Sequence, residues 1–181
     1  AFTDANNYMK DGILLRQVVN EIDEAVDFTE YKERHAFGEI YETILKDLQS
    51  AGNAGEFYTP RAVTDFMARA LAPKLGETVA DFACGTGGFL TSALNILRDQ
   101  IETPADRVAY TSSVYGIEKK QLPYLLCITN MLLHDIDNPK VFHDNSLEKD
   151  VREWKHKPDG QFDVVLMNPP YGGSESASVQ N

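Results

Sequence analysis

Two hydrophobic periods divide the chain. Up to about residue 55, apolar side chains recur at three- and four-residue spacing. Ile13, Leu14, Val18, Ile22 and Val26 fall on one helix face, with charged residues elsewhere. A second helix is expected over residues 35–49, burying Phe37, Ile40, Tyr41, Ile44, Leu45 and Leu48. The run Ser50-Ala51-Gly52-Asn53-Ala54-Gly55 reads as a linker. After it, Thr59 is a candidate N-cap and Pro60 a first helical residue, opening a helix to about Leu71. From Thr78 the period changes. Residues 79–83 form a short apolar run, followed by a glycine-rich turn and a helix over about 89–98. Residues 114–117 predict a second strand, with a helix over 121–134. Residues 140–143 predict a third, with a short helix near 147–154, and residues 162–167 a fourth, apolar strand. Strands alternating with helices imply an α/β layer: a parallel sheet with right-handed crossovers, preceded by N-terminal helices. The expected domains are a helical region, 1–55, and an α/β domain, 56–181. In such sheets ligands bind beyond the carboxyl ends of the strands.

Composition adds bounds. At 43% hydrophobic and 25% charged, the 181 residues are those of an ordinary globular chain, which excludes wholesale disorder. No stretch approaches the roughly 18 apolar residues of a membrane span, and no membrane partner is expected. Cys84 and Cys127 are too few for a disulfide framework and fit the cytoplasm. His35, His134, His143 and His156 lack ligand spacing, so no metal is expected. With 17 Lys+Arg against 28 Asp+Glu the formal net charge is −11, and both regions are acidic. A protein that grips nucleic acid by itself shows a basic face, so charge alone argues against DNA. The chain starts at Ala1 rather than Met and ends at Asn181, soon after its most chemically suggestive segment, which leads us to expect a piece of a longer protein.

Four segments carry candidate chemistry, and each follows a strand. Asp81-Phe82-Ala83-Cys84-Gly85-Thr86-Gly87-Gly88-Phe89 follows the first. Its glycines permit positive φ and close approach of a ligand, and the next helix offers free N–H groups. The spacing is neither that of a dinucleotide site nor of a Walker loop. Asp81 can accept from an ammonium group or from the turn's own amides; a tight turn with nothing bound is the plainer alternative. Glu118, ending the second strand, suits the two hydroxyls of a ribose, or is a solvated glutamate. Asp144 and Asn145, with Ser146, could meet the edge of an adenine ring, or simply form a turn. Asn168, Pro169, Pro170 and Tyr171 follow the fourth strand. The two prolines lack N–H groups and hold the chain extended. The Asn168 side-chain oxygen and a nearby carbonyl could together accept both hydrogens of a planar NH₂ group, with Tyr171 as a stacking face.

These residues, together with Glu56-Phe57-Tyr58-Thr59-Pro60-Arg61 and Gly38-Glu39-Ile40-Tyr41-Glu42, resemble the S-adenosylmethionine-dependent N6-adenine DNA methyltransferases. The resemblance is to the modification (M) subunits of type I restriction–modification systems, and spans roughly residues 35–173. Phe82 stands where the family usually has proline, a departure that bears on how the turn packs. The resemblance implies a Rossmann-like methyltransferase sheet, here its first four strands. It implies S-adenosylmethionine held by Glu56, Phe57, Tyr58, Thr59, Pro60 and Arg61, by Asp81, Ala83, Gly85, Thr86, Gly87, Gly88 and Phe89, and by Glu118, Asp144 and Asn145. Asn168, Pro169, Pro170 and Tyr171 would hold an adenine flipped out of DNA. Partners would be DNA and the specificity and restriction subunits. Two rival expectations are methylation of a protein glutamine amide, another planar NH₂, and an inactive fragment or docking module.

Overall fold

The apolar runs after Thr78 are too short and too β-branched for helices, and they become strands. The computed structural model describes residues 9–27, 30, 33–34, 36–38, 40–41, 43, 59–148 and 161–171. Strands β1 (Val79–Asp81), β2 (Val114–Glu118), β3 (Lys140–His143) and β4 (Val164–Val165) form one parallel sheet in the order β3-β2-β1-β4. Val79 pairs with Val114 on one side and Val164 on the other, and Gly116 pairs with Val141. The chain therefore runs outward from β1 through β2 to β3, then returns to the far side of β1. Beyond the carboxyl ends of β1 and β4 lies the switch point at which α/β sheets place their ligands.

The pleat gives the sheet two unlike faces. On one, Leu90, Leu94 and Leu97 of α3 (Gly88–Arg98) are fully buried together with Val114 and, at 4% exposure, Val141. Each such leucine contributes about 1.5–3 kcal/mol of burial. Cys127, Ile128 and Met131 of α5 (Gln121–Leu133) join the same cluster. The opposite face is aromatic. Tyr115 lies 5.2 Å from Phe142 and 5.0 Å from Phe162, and Phe82 meets Phe162 edge-on at 5.4 Å. This accounts for Phe82 in the turn: its ring is part of that face.

Several expectations are corrected. The helix after the linker, α2 (Arg61–Leu71), starts one residue later than expected, with Pro60 at the N-cap and no side-chain cap. A proline cannot offer a side-chain acceptor, and the Thr59 hydroxyl is engaged elsewhere. Strand β2 extends to Glu118, and α5 ends at Leu133. Strand β4 is only Val164–Val165, with Val165 47% exposed, because it is the sheet's edge among the described residues. Helix α4 (Pro104–Thr111) was not anticipated at all. The short helix expected near 147–154 falls mostly outside the described residues.

The chain forms two compact units, Ala1–Gly52 and Asn53–Asn181. In the first unit, α1 (Gly12–Ala25) is capped by Asp11, whose side chain accepts from the Ile13 and Leu14 amides. None of its residues is buried, and Ile13 is 74% exposed. The described residues from 33 to 43 are helical, but Ile40 is 59% exposed rather than buried. Ile44, Leu45 and Leu48 lie outside the described residues.

Candidate functional site

Two backbone facts build the turn after β1. Gly85 and Gly87 both take positive φ, +55° and +87°. A Cβ on Gly87 would stand 2.8 Å from Cys127 Sγ, so this position requires glycine for conformation and for space. A Cβ on Gly85 would meet nothing within 4 Å; the turn faces open space there.

The turn is tied to its surroundings at every step. The Cys84 amide donates to the Ile117 carbonyl (3.0 Å), and the Gly85 amide to Glu118 Oε2 (2.8 Å). Asn130 Nδ2, from α5, donates to the Thr86 carbonyl (3.2 Å). Glu118 Oε1 accepts from the Lys120 amide (2.7 Å), and each carboxylate oxygen retains a second lone pair for an incoming hydroxyl. Asp81 is 1% exposed, and its Oδ1 accepts from the Ala83 amide at 3.1 Å. Burial pushes its carboxyl up to about 7, against the Ala83 hydrogen bond and with help from the Glu118 charge. A buried acid next to a second carboxylate is poised to favour a cation. Cys84 Sγ lies 3.8 Å from Cys127 Sγ, both free and buried. That neighbouring thiol and burial hold Cys84 well above the usual thiol range, so it packs rather than reacts.

Across the switch point, the Leu166 amide donates to the Ala80 carbonyl, which sets the loop after β4 beside the turn after β1. Asn168 Nδ2 donates to Thr59 Oγ1 at 3.1 Å. Pro169, Pro170 and Tyr171 are exposed, Tyr171 at 78%. At the end of β3, the Asp144 amide donates to the Glu118 carbonyl, Asp144 Oδ1 accepts from the Asn145 amide, and Asn145 Oδ1 from the Leu147 amide. This local turn lies next to Glu118.

The structure thus brings together Thr59, Asp81, Gly85, Thr86, Glu118, Asp144 and Asn168 around the strand ends. It gives three expected donor-site residues other work. Phe89 is 4% exposed, in a core cluster with Ala68, Val79, Ala93 and Leu166. The Arg61 guanidinium donates to the Gly88 carbonyl (3.2 Å) and to Thr91 Oγ1, bracing α2 against the start of α3. Pro60 caps α2. Glu56, Phe57 and Tyr58 lie outside the described residues. Asn130 was missed: a buried asparagine in an apolar helix was its only signal. Among the described residues no cluster of His, Cys, Asp or Glu could hold a metal ion, and no helix is long and apolar enough to cross a membrane.

A family model for the N-6 DNA methylases matches residues 32–181, more than half of the chain. The chain belongs to this family. The type I restriction enzyme EcoEI methylase subunit of Escherichia coli is 56% identical over 182 residues, covering 99% of this chain and 36% of that relative. The MpnII methylase subunit of Mycoplasma pneumoniae is 33% identical over 168 residues, 87% of this chain and 30% of its own. A solved structure from Vibrio vulnificus, described as a modification subunit of a type I restriction enzyme, superposes with TM-score 0.81 at 44% identity. It is matched over 96% of this chain and 36% of that one. The chain therefore spans about a third of the length of these relatives. The motif resemblance and the methyltransferase-type α/β fold are both borne out, and family membership implies a methyl donor.

Proposed function

We propose that this chain is the donor-binding and catalytic-loop part of a type I modification subunit, transferring a methyl group from S-adenosylmethionine to N6 of adenine in DNA. The observation that carries the reading is the juxtaposition at the switch point: a braced glycine turn after β1 beside Asn168 after β4. The donor set suits this ligand. Buried Asp81 favours a cationic group, Glu118 keeps lone pairs for two hydroxyls, and the space over Gly85 is open. Asp144 and Asn145 stand beside Glu118 for the adenine of the donor. Bound there, S-adenosylmethionine supplies an electrophilic methyl group on a positively charged sulfur.

The residues of this chain orient the acceptor. Asn168 Oδ1 and the Pro169 carbonyl accept the hydrogens of a planar NH₂, which raises electron density on that nitrogen. Tyr171, largely exposed, offers a face on which the flipped base stacks. The contribution is positioning and hydrogen bonding rather than covalent catalysis. A net charge of −11 leaves grip on the duplex to partners, which we assign as specificity and restriction subunits in the cytoplasm. The N-6 DNA methylase family, and the names of the two relatives given above, methylase subunits of type I restriction enzymes, support adenine over a protein glutamine as acceptor.

The test is methyl transfer by the full-length protein assembled with its partner subunits. Label from the donor is expected in N6-methyladenine. Asn168→Ala is expected to reduce transfer by roughly 10²–10³-fold with donor affinity unchanged. Label confined to protein, or an active Asn168→Ala, overturns the reading.

A further inference from the structure

We infer that Thr59 is a positioning residue for Asn168: its hydroxyl fixes the plane of the Asn168 amide and so contributes to turnover, separately from any contact it makes with the donor. This rests on the proposed reading of Asn168 as the group that holds the acceptor NH₂. The two residues are 109 positions apart in sequence, and Asn168 Nδ2 donates to Thr59 Oγ1 at 3.1 Å. In a planar amide, nitrogen and oxygen lie on either side of the Cβ–Cγ axis, so each faces a different direction. Fixing Nδ2 on Thr59 therefore turns Oδ1 away from it, free to accept from an acceptor amine. Without this partner the amide could rotate about its last torsion, which has broad, shallow wells.

Thr59 is itself held in place. Pro60 follows it at the N-cap of α2 with φ −53° and ψ 140°, leaving little backbone freedom. The next residue, Arg61, donates to the Gly88 carbonyl and to Thr91 Oγ1, while Ser92 Oγ bonds Asp65 Oδ1 (2.6 Å) and Thr64 Oγ1 (2.9 Å). The first turn of α2 is thereby fastened to α3, the helix that opens from the glycine turn. Three consecutive residues, Thr59 to Arg61, connect the loop that orients the acceptor to the helix that carries the donor turn. A threonine aimed only at the donor would not need its hydroxyl on Asn168.

The experiment compares Thr59→Val and Thr59→Ser in the full-length protein assembled with its partner subunits. Donor KM and kcat for methyl transfer are measured on DNA, and donor affinity by calorimetry. Valine keeps the branched shape and removes the hydroxyl. We expect kcat at saturating donor to fall about tenfold, whatever the effect on donor KM, and Thr59→Ser to recover most of the loss. Unchanged kcat at saturating donor, with or without a raised donor KM, or no recovery by serine overturns the inference. If the wild-type assembly methylates a protein amide instead of adenine, the proposed substrate fails. The kcat split in the variants still tests Thr59, because Asn168 would hold either NH₂.

Discussion

The two loops at the switch point are built on opposite plans. The turn after β1 is bonded to β2 by the Cys84 and Gly85 amides and to α5 through Thr86, and Gly87 fits against Cys127 with no room to spare. The loop after β4 has two exposed prolines and an exposed tyrosine, and among the described side-chain bonds Asn168 to Thr59 is its link to α2. The difference is one of timing. A small donor of constant shape is best met by a site finished before it arrives, since preorganised groups need no reordering on binding. On the proposed reading, a base swung out of a duplex brings its own stacking surface and enters from outside, so its side of the site has to stay open.

The sharpest way to break this contrast is at the glycines. Gly87→Val combines a positive-φ strain of about 1–2 kcal/mol with overpacking of about 1–3 kcal/mol against Cys127 and Met131. It is expected to abolish donor binding in calorimetry and to lower the denaturation midpoint. Gly85→Ala meets the same kind of strain but open space, and is expected to cost about 1–2 kcal/mol while the fold persists. Equal effects of the two substitutions would mean that the turn is not wedged against α5.

A smaller effect tests whether the floor of the turn is truly dry. The Asp81 carboxyl is raised from 3.8 to about 7, chiefly by burial. The folded state then holds a proton that the unfolded chain has released. The stability tied to the protonated form is complete below about pH 4 and lost as pH rises through about 7. Urea denaturation of the wild-type protein is expected to show this loss, by at most tenfold in the unfolding constant per pH unit. Asp81→Asn, which cannot ionise, is expected to lack that slope. Parallel pH profiles would place water beside Asp81 and remove the distinction between a sealed turn and an open loop.

What could be read beforehand followed local rules, and what could not depended on distant neighbours. The strand–helix alternation, the glycine turn and Glu118 at a strand end each follow from residues within one segment. The family motif places Phe89 at the donor. Yet positions 89, 90, 93, 94 and 97 are one helical stripe, all buried, and periodicity would have placed it in the core. The roles of Arg61 and Thr59 were not legible. Their partners lie 27, 30 and 109 residues away, and only the packing of α2 on α3 and the return of β4 to β1 bring them together. Strand β4 is shorter than its apolar run, because apolar sequence continues past the strand's end at Val165. On the sheet's edge Val165 is half-exposed, and the chain turns out into Asn168.

Helix α4 is the miss that local rules should have prevented, and it supplies the mildest test. Half of its eight residues are apolar, but only Tyr110 is buried and Val108 is exposed, so no hydrophobic face marks it. The signal lay in its first turn instead. Thr103 accepts from the Asp106 amide while Asp106 accepts from the Thr103 amide, with Pro104 at the first helical position. Thr-Pro-Ala-Asp is a capping box that needs no tertiary partner, and the bonds from Thr103 and Glu102 hold the Asp106 carboxyl below its usual range. Removing the cap with Thr103→Ala is expected to cost about 1 kcal/mol in urea denaturation. Donor affinity and methyl transfer are expected to stay at wild-type values, since α4 contributes none of the residues brought together at the switch point. A loss of donor affinity as large as that of Gly87→Val would show that the turn draws its rigidity from the whole sheet-and-helix layer, not from the bonds to β2 and α5 on which the comparison rests.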